Sequence, residues 1–400
     1  MRICHVITRM ILGGAQENTL LTCEGLHARG HEVTLITGPA VGPEGELMGR
    51  ARASGYRVEV VAAMGRAVRP LRDLAAYRQL RRLLADIRPH VMHSHSSKAG
   101  ILARRAAAAV GNMAVVHTIH GLAFDEYQPW WTNRLYAALE RLAARRTDAL
   151  VSVADAMAAQ ALAAGVGRPE QFTTIYSGME VAPFLTRPPQ ADEFRAALDL
   201  PGGAVLVTQV ARLAPMKGHG YVIDAAERID DPRVVFCFVG DGVLRGELSA
   251  EVARRGLTGR FRFTGLLPPG QIPAVMHASD VVVHCSLREG LARSLPQAML
   301  AGRPVVSFNV GGAAEVVNER TGVLLAPRDV HGVTYAIRTL ADSPELRDRL
   351  GAAGRDRCRG MFDHNRMVDR LERLYEHIVQ QDARDARDIE SVKGQVPRDK

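Results

Sequence analysis

The sequence predicts an α/β chain made of two similar domains, each built on a parallel sheet. Three observations favour this fold class. Short β-branched apolar runs alternate with helical patterns, the alternation restarts after a proline-rich segment at 183–189, and a length of 400 residues suits about two domains. Because open parallel sheets bind ligands where their strands end, we expect the functional residues in the loops that follow strands.

The first half of the chain contains the pattern of one sheet. Apolar runs predict strands at Ile3–Ile7, His31–Ile36, Arg57–Val61, His90–His93, Val115–Ile119, Asp148–Val153 and Phe172–Tyr176. Helical patterns follow several of them, at Ala15–Arg29, Leu71–Ile87, Ala99–Val110 and Tyr127–Arg146. We therefore predict a first domain over residues 1–185 and a linker over 186–198.

The second half repeats the alternation without repeating the sequence. Strands are predicted at Ala204–Val210, Val234–Val239, Phe261–Gly265, Val281–His284, Pro304–Phe308 and Gly322–Leu325, with helices continuing to about Val379. Residues 380–400 are charge-mixed and nearly free of core residues, so we expect a disordered tail there.

Most of the excess positive charge lies in the first half of the sequence. The chain has 51 basic and 43 acidic residues, a net charge of +8, and residues 1–185 alone have 21 against 15, or +6. Solvated helix faces explain such arginines most simply, and a surface for anionic lipid headgroups or a lipid-linked pyrophosphate is the sharper alternative. Aromatic residues are only 5%, which disfavours nucleic acid as a partner.

The chain shows no signal peptide, membrane span or cysteine framework. The N-terminal apolar run is short, and no stretch approaches about 18 apolar residues, so we expect a cytoplasmic protein, peripheral at most at the inner face of the plasma membrane. The five cysteines lack CxxC spacing, which indicates free thiols rather than disulfides or a zinc site.

The most informative stretch runs from residue 288 to residue 317. It predicts a loop, a short helix, a buried strand and a Gly-Gly turn. Ser294 can cap the helix, Pro296 suits its first turn, and Gln297 stands three residues after the cap. The free N–H groups of a helix start suit an anion, and the nearby carboxylate of Glu289 suits hydroxyls. This combination is typical of a site for a sugar joined to a phosphate.

Two cations and a histidine extend this candidate site. Arg212 and Lys217 lie in one strand-to-helix loop and can reach a common anion, although two solvated cations are the simpler alternative. His120 ends a strand and precedes a glycine, so its ring can point away from the sheet. Because His93, His95 and the other nearby histidines lack a carboxylate or cysteine at ligand spacing, we predict no metal site.

With these features in place, the chain resembles the retaining glycosyltransferases of family 4 over about residues 1–379. The similar motifs are Gly13-Gly14, HTIHG with His120, the loop ARLAPMKG, the GDG turn at 240–242, and the stretch that begins EGLARSLPQAM. The resemblance implies the GT-B fold, in which two Rossmann-like α/β domains with parallel sheets face an interdomain cleft. It implies an acceptor-side domain at 1–185, a nucleotide-sugar donor domain at 199–367, and a helix at 368–379 that packs back toward the first domain.

The resemblance also implies site roles. Arg212 and Lys217 would grip the donor diphosphate, Glu289 would hold hydroxyls of the donor sugar, and His120 would contact the sugar or its reacting face. No D-x-D motif is present, so a metal-independent reaction without a cofactor is implied. The implied donor-binding positions are Gly13, Gly14, Gly240, Asp241, Gly242, Ala292, Arg293, Ser294, Leu295 and Gln297.

The implied activity is retaining transfer of a sugar from a nucleotide-diphosphate sugar, expected to be a UDP-sugar, to a hydroxyl. The expected acceptor is a saccharide or lipid-linked saccharide of cell-surface polysaccharide synthesis. At position 297 the family usually has a second glutamate that holds the ribose, so Gln297 either contacts ribose or completes a capping box with Ser294. A non-hydrolysing nucleotide-sugar epimerase of the same fold and a catalytically idle nucleotide-sugar-binding protein are the alternatives.

Overall fold

The computed structural model describes residues 1–40 and 46–394, which form two compact units. The first unit comprises Met1–Met179 and the C-terminal segment from His364, and the second comprises Glu180–Asp363. In each unit, helices flank a sheet whose described strands all pair in parallel. The predicted α/β class is confirmed.

The first unit has a sheet of seven described strands. They are β1 (Arg2–Arg9), β2 (Glu32–Gly38), β3 (Arg57–Val60), β4 (Val91–His95), β5 (Ala114–Ile119), β6 (Ala149–Ser152) and β7 (Phe172–Thr174). Their order is β3-β2-β1-β4-β5-β6-β7, and in the register Ile3 pairs with Val33 of β2 and Val91 of β4. The strand order reverses between β1 and β4, which makes their carboxyl ends the switch point of this sheet.

Six α-helices accompany this sheet before residue 179 in the described ranges. They are α1 (Gly14–Ala28), α2 (Met48–Ala53), α3 (Pro70–Ile87), α4 (Ser97–Val110), α5 (Trp130–Ala144) and α6 (Asp155–Ala163). Pro70 begins α3, where its missing N–H costs no hydrogen bond. Both α3 and α5 pack on α4, and both begin at the edge where the strands before them end.

The second unit has a six-stranded sheet within the described residues. Its strands are β8 (Val205–Val210), β9 (Val234–Val239), β10 (Phe261–Gly265), β11 (Val281–His284), β12 (Val305–Phe308) and β13 (Gly322–Leu325), in the order β10-β9-β8-β11-β12-β13. Its helices are α7 (Ala182–Leu185), α8 (Gln190–Ala197), α9 (His219–Glu227), α10 (Arg245–Arg254), α11 (Ile272–Ala278), α12 (Ser294–Leu300), α13 (Ala313–Val316), α14 (Val330–Asp342) and α15 (Pro344–Met361).

The boundary between the units lies earlier than the sequence predicts. The first unit ends at Met179 rather than at residue 185, and the expected linker contains α8, which packs on α11 in the second unit. The Phe184 carbonyl lies 3.0 Å from His277 Nε2, which ties α7 to the same unit. The prolines at 188 and 189 indicated a linker, but prolines also stand at helix starts, and here they precede α8.

The last helix, α16 (His364–Gly394), belongs to the first unit. It begins four residues before the expected position 368, and its side chains Met367, Val368, Leu371 and Tyr375 are part of the first unit's core. The helix continues through residues 380–394, where we predicted disorder, because its alanines and arginines favour helix. The rest of the predicted tail, 395–400, lies outside the described residues. No helix in the described chain has both the length and the apolar character for crossing a membrane.

Candidate active site

The second unit gathers three predicted catalytic residues at the switch point of its sheet. β8 and β11 are neighbours, and the strand order runs away from them in opposite directions. Arg212 and Lys217 lie in the loop after β8, and Glu289 lies in the loop after β11. Open α/β sheets bind ligands outside the carboxyl ends of two such strands.

Lys217 and Glu289 form an ion pair at this edge. Lys217 Nζ donates to Glu289 Oε1 at 2.5 Å, and His284 Nε2 lies 3.4 Å from the same oxygen. Burial raises the pKa of Glu289, but the contact with His284 and the charge of Lys217 outweigh it, so the pKa falls to about 2. Glu289 is therefore an ionised acceptor for hydrogen bonds at neutral pH.

His284 is a site residue that the sequence analysis did not identify. It ends β11, and its side chain is 4% exposed. Its Nδ1 lies 3.5 Å from Ser307 Oγ on β12, so the ring is held between the sheet and Glu289. The available signal was a histidine that closes the otherwise all-valine run of β11.

Backbone contacts hold the loops after β8 and β11 together. The Met216 carbonyl accepts hydrogen bonds from Leu287 N at 2.8 Å and Ser286 Oγ at 2.9 Å. Gly218 has φ +72°, and a Cβ there would lie 1.8 Å from the Cys285 carbonyl oxygen. Only glycine fits this approach, so the position of the Lys217 loop depends on it.

The GDG turn packs against the same loop. Leu213 N donates to the Asp241 carbonyl at 3.0 Å, and the exposed Asp241 side chain accepts from Gly242 N at 2.7 Å. A Cβ on Gly242 would lie 2.3 Å from the Leu213 carbonyl, and one on Gly240 would lie 2.2 Å from the Ala211 carbonyl. The turn thus supports the segment that carries the exposed Arg212.

The helix start after Glu289 differs from the prediction. Ser294 is the first residue of α12 and Arg293 stands at the cap with helical angles, φ −63° and ψ −28°. Because Ser294 already lies inside the helix, it cannot cap it, and no side chain caps this end. The capping-box alternative for Gln297 is therefore wrong. Ala292 and Leu295, the other predicted donor-binding positions here, are buried.

The remaining predicted catalytic residue, His120, lies in the first unit. It directly follows β5, and its Nε2 lies 3.1 Å from Nδ1 of His95 at the end of β4. His95 Nε2 in turn lies 3.0 Å from His5 Nδ1 on β1. His5 and His95 are fully buried, and burial lowers the pKa of His5 to about 3 and that of His95 well below its usual value.

Gly13 and Gly14 lie at the switch point of the first sheet, after β1. Gly13 precedes α1 with φ 173°, an extended conformation that any residue adopts, and Gly14 is exposed. The backbone therefore does not itself require glycine at Gly13. Close approach of a ligand to this loop remains a prediction.

The first unit also contains a group of histidines compact enough to raise the question of a metal. One ring nitrogen each from His5, His93 and His95 lies within 4.8 Å of the others. However, His93 Nδ1 lies 2.5 Å from Tyr375 Oη, and His93 Nε2 lies 2.7 Å from Thr118 Oγ1. Since both nitrogens of His93 already have hydrogen-bond partners, the group fits a metal ion poorly.

Two family descriptions match the chain, one in each unit. "Glycosyl transferase 4-like domain" matches residues 13–178, and "Glycosyl transferases group 1" matches residues 190–357. Together they cover the loops that carry His120, Arg212, Lys217 and Glu289.

Two relatives and a solved structure match nearly the whole chain. The 2-deoxystreptamine N-acetyl-D-glucosaminyltransferase of Streptomyces fradiae is 31% identical over 92% of this chain and 90% of its own. The UDP-Gal:alpha-D-GlcNAc-diphosphoundecaprenol alpha-1,3-galactosyltransferase of Escherichia coli is 28% identical over 95% of this chain and 97% of its own. Anabaena HepE in complex with UDP-glucose has a TM-score of 0.81 at 23% identity, covering 94% of this chain and 100% of that chain.

The similarity to HepE shows the fold of this chain. The family descriptions and the 31% identical relative show the family to which it belongs. Both agree with the two parallel sheets and with the motifs at their switch points. The chain belongs to the group 1, family 4 glycosyltransferases and has their GT-B fold.

Proposed function

We propose that this glycosyltransferase moves a sugar, with retention, from a UDP-sugar to a hydroxyl of a lipid-linked saccharide in cell-surface polysaccharide synthesis. The observation that carries the proposal is the Lys217–Glu289 ion pair in the loops at the β8/β11 switch point, with Arg212 in the same loop as Lys217. A UDP-sugar is supported by the name of the E. coli relative and by the UDP-glucose complex of HepE. The E. coli relative's name also gives a diphosphoundecaprenol-linked acceptor.

The proposed chemistry follows from charge. When the bond between sugar and diphosphate breaks, negative charge develops on the departing oxygen, and the cations Lys217 and Arg212 stabilise it. The acceptor hydroxyl attacks the anomeric carbon from the face that the diphosphate leaves, and its proton passes to the leaving phosphate oxygen. Glu289, ionised at neutral pH, accepts hydrogen bonds from sugar hydroxyls. In this proposal the two cations supply the positive charge that a metal ion would otherwise supply.

The other predicted positions have supporting roles in this proposal. The backbone around Ala292 to Leu295 contacts the diphosphate, Gln297 contacts the ribose, and His120 contacts the sugar. Ribose contact by Gln297 is supported because its side chain is only partly buried and does not cap α12. A neutral amide both donates and accepts hydrogen bonds, although these are weaker than the charge-assisted bonds of a glutamate.

Two variants test the charge stabilisation. Lys217→Ala and Arg212→Ala should each lower kcat by about 100-fold or more, because each removes a cation from the leaving group. Transfer from UDP-sugars is measured by UDP release and by product analysis. Arg228→Ala is the matched control, since Arg228 is an exposed cation at the other end of α9.

Three outcomes would contradict the proposal. Full activity of the Lys217→Ala/Arg212→Ala double variant would remove the role of the cations. Formation of an epimerised UDP-sugar without acceptor would favour the epimerase. Tight binding of nucleotide sugar without turnover across acceptors would favour a binding protein.

We also propose that the first unit attaches peripherally to an anionic membrane, where a lipid-linked acceptor resides. The support is an apolar stripe on the solvent side of α5, formed by Trp131, Leu135 and Leu142, which are 60%, 51% and 53% exposed. Arg134 and Arg141 flank the stripe and are exposed. Exposed tryptophan and leucine beside arginine suit the interface of a bilayer with anionic headgroups.

A second exposed apolar patch lies at the start of α3. Val68, just before α3, and Leu71, in its first turn, are 70% and 85% exposed, and the exposed arginines 66, 69 and 72 are close to them in sequence. In co-sedimentation with vesicles, a Trp131→Ser/Leu135→Ser variant should lose most binding to vesicles containing phosphatidylglycerol. The absence of wild-type binding would contradict membrane attachment, and binding that changes with neither anionic lipid nor salt would contradict the role of the arginines.

A further inference from the structure

We propose that His5 and His95 form a positioning chain for His120 and determine which ring nitrogen of His120 carries the proton. The inference rests on the proposed function, in which His120 contacts the donor sugar. This histidine chain consists of His5 on β1, His95 at the end of β4 and His120 directly after β5. Neither His5 nor His95 can touch a ligand, because both are fully buried.

Neighbouring rings of the histidine chain lie within hydrogen-bond distance of each other. His5 Nδ1 lies 3.0 Å from His95 Nε2, and His95 Nδ1 lies 3.1 Å from His120 Nε2. The rings of His5 and His95 are nearly parallel, with an interplanar angle of 19° and centroids 5.3 Å apart. Because β1, β4 and β5 are neighbours in the sheet, the backbone fixes the spacing of the three rings.

Neutral imidazoles permit two directions of donation along such a chain. Each neutral ring has one N–H and one lone pair, so the middle ring donates on one side and accepts on the other. Burial makes His5 and His95 neutral at physiological pH. The two directions of donation differ at His5, the inner end of the histidine chain.

The inner end favours donation outward. His5 Nε2 is buried and has no hydrogen-bond partner among the described residues. If donation ran inward, this nitrogen would carry an unpaired buried N–H, which is rarer in proteins than an unpaired acceptor. With outward donation, His5 Nδ1–H donates to His95, and His95 Nδ1–H donates to His120 Nε2. His120 then carries its proton on Nδ1.

This arrangement orients His120 as a donor. Its Nε2 is held by His95, so the ring cannot rotate freely and the Nδ1–H points in a fixed direction. A sugar hydroxyl or ring oxygen is an acceptor suited to that N–H. His95 is therefore a positioning residue that acts through His120, and His5 acts through His95.

The neighbouring His93 does not belong to the chain. Its ring lies 4.3 Å from that of His95 between centroids, but its nitrogens bond Tyr375 and Thr118. His117, also on β5, lies 2.9 Å from Ser94 Oγ through its Nδ1. Both histidines are buried, and His117, on the strand that His120 follows, offers a control.

The proton position can be measured directly. Long-range ¹H–¹⁵N spectra of the intact protein with ¹⁵N-labelled histidine distinguish the two neutral tautomers, and His120→Ala assigns the His120 signal. We expect the Nδ1–H form for His120 in the wild type, and a shift toward the Nε2–H form in His95→Leu. The Nε2–H form in the wild type would overturn the inference, whatever the activity.

Kinetics supply the second test. His95→Leu should lower kcat about tenfold or more with little change in KM for the donor, because His95 does not touch it. His95→Asn should restore most of the activity, since the asparagine amide places an N–H near the position of His95 Nδ1. His117→Asn, the matched control, should leave kcat within about twofold of the wild type.

The outcomes separate the inference from the proposed function. If His120→Ala transfers sugar normally, the role of His120 in the proposed function fails. If His120→Ala is inactive while folded His95→Leu keeps wild-type kcat, only the positioning chain fails. One equivalent of zinc in the purified protein, lost in His95→Leu, would overturn the chain in favour of a metal site.

Discussion

At the scale of single residues, the candidate site depends on the contact between Lys217 Nζ and Glu289 Oε1, which are 2.5 Å apart. Residue type and spacing pointed to Arg212, Lys217 and Glu289, because a cation-bearing loop and a carboxylate beside a helix start suit a sugar phosphate. The sequence could not show that Lys217 and Glu289 are in contact, since they are separated by three strands and meet only through the order of the sheet. For the same reason the contact of His284 with Glu289 was missed.

The ion pair predicts an acid dependence of stability. The Glu289 pKa is lowered from 4.5 to about 2 in the folded protein, so the ionised form stabilises the fold above pH 4.5 and this contribution is lost as pH falls toward 2. Glu289→Gln should remove a contribution on the order of 2 kcal/mol and flatten the pH dependence. Urea unfolding of wild type and variant between pH 5 and pH 3 measures it, and parallel curves would contradict the account.

At the scale of elements, strands were easier to predict than boundaries. Apolar runs located the strands to within a few residues, because a strand buried on both faces carries its own signal. Helix starts were less certain: the serine of α12 matched a cap by spacing but lies inside the helix. The prolines before α8 suggested a linker because composition does not reveal that the helix packs on α11.

Glycines at the start of α9 give a matched pair of variants. Gly218→Ala should displace the Lys217 loop and destabilise the protein by at least about 1 kcal/mol, because φ is +72° and the new Cβ would meet the Cys285 carbonyl. Gly220→Ala should stabilise it by up to about 1 kcal/mol, because the new Cβ meets nothing within 4 Å and alanine favours helix.

Thermal unfolding and UDP-sugar transfer of both variants check this prediction. Gly218→Ala should also lose transfer activity, whereas Gly220→Ala should keep it. Equal stability of the two variants would show that the close approach between the loops after β8 and β11 is not needed.

At the scale of the whole molecule, the sequence predicted two α/β domains but misplaced their ends. The fold class followed from alternation and length, which are properties of the entire chain. The resemblance to the family implied that the last helix returns to the first unit, but no local pattern did, because this membership depends on contacts such as Tyr375 with His93, 282 residues apart. The family motifs located the site better than local structure did, because they record chemistry in a fixed order along the chain.

The buried histidines predict that the first unit is sensitive to mild acid. Burial lowers the pKa of His5 from 6.5 to about 3 and those of His93, His95 and His117 well below 6.5. The unfolded chain takes up these protons below pH 6.5 and the folded chain does not, so stability is present above that pH and falls below it. Below pH 6.5, each of these histidines lowers the free energy of unfolding by about 1.4 kcal/mol for each pH unit.

Hydrogen exchange of β1, β4 and β5 at several pH values, corrected for intrinsic rates, measures this loss. Protection should fall between pH 7.5 and 5.5. In His117→Asn the fall in protection per pH unit should be smaller by the contribution of one histidine. Protection that stays constant over this range would contradict the burial of neutral histidines.

The proposed reaction is retaining transfer from a UDP-sugar by the site at the β8/β11 switch point. The most direct measurement is an ¹H NMR assay in which purified protein is incubated with a UDP-α-hexose and a diphosphate-linked saccharide acceptor. We predict UDP release coupled to a product with an α-linkage, and loss of both in Lys217→Ala. A β-linked product, or equal transfer by Lys217→Ala, would contradict the account.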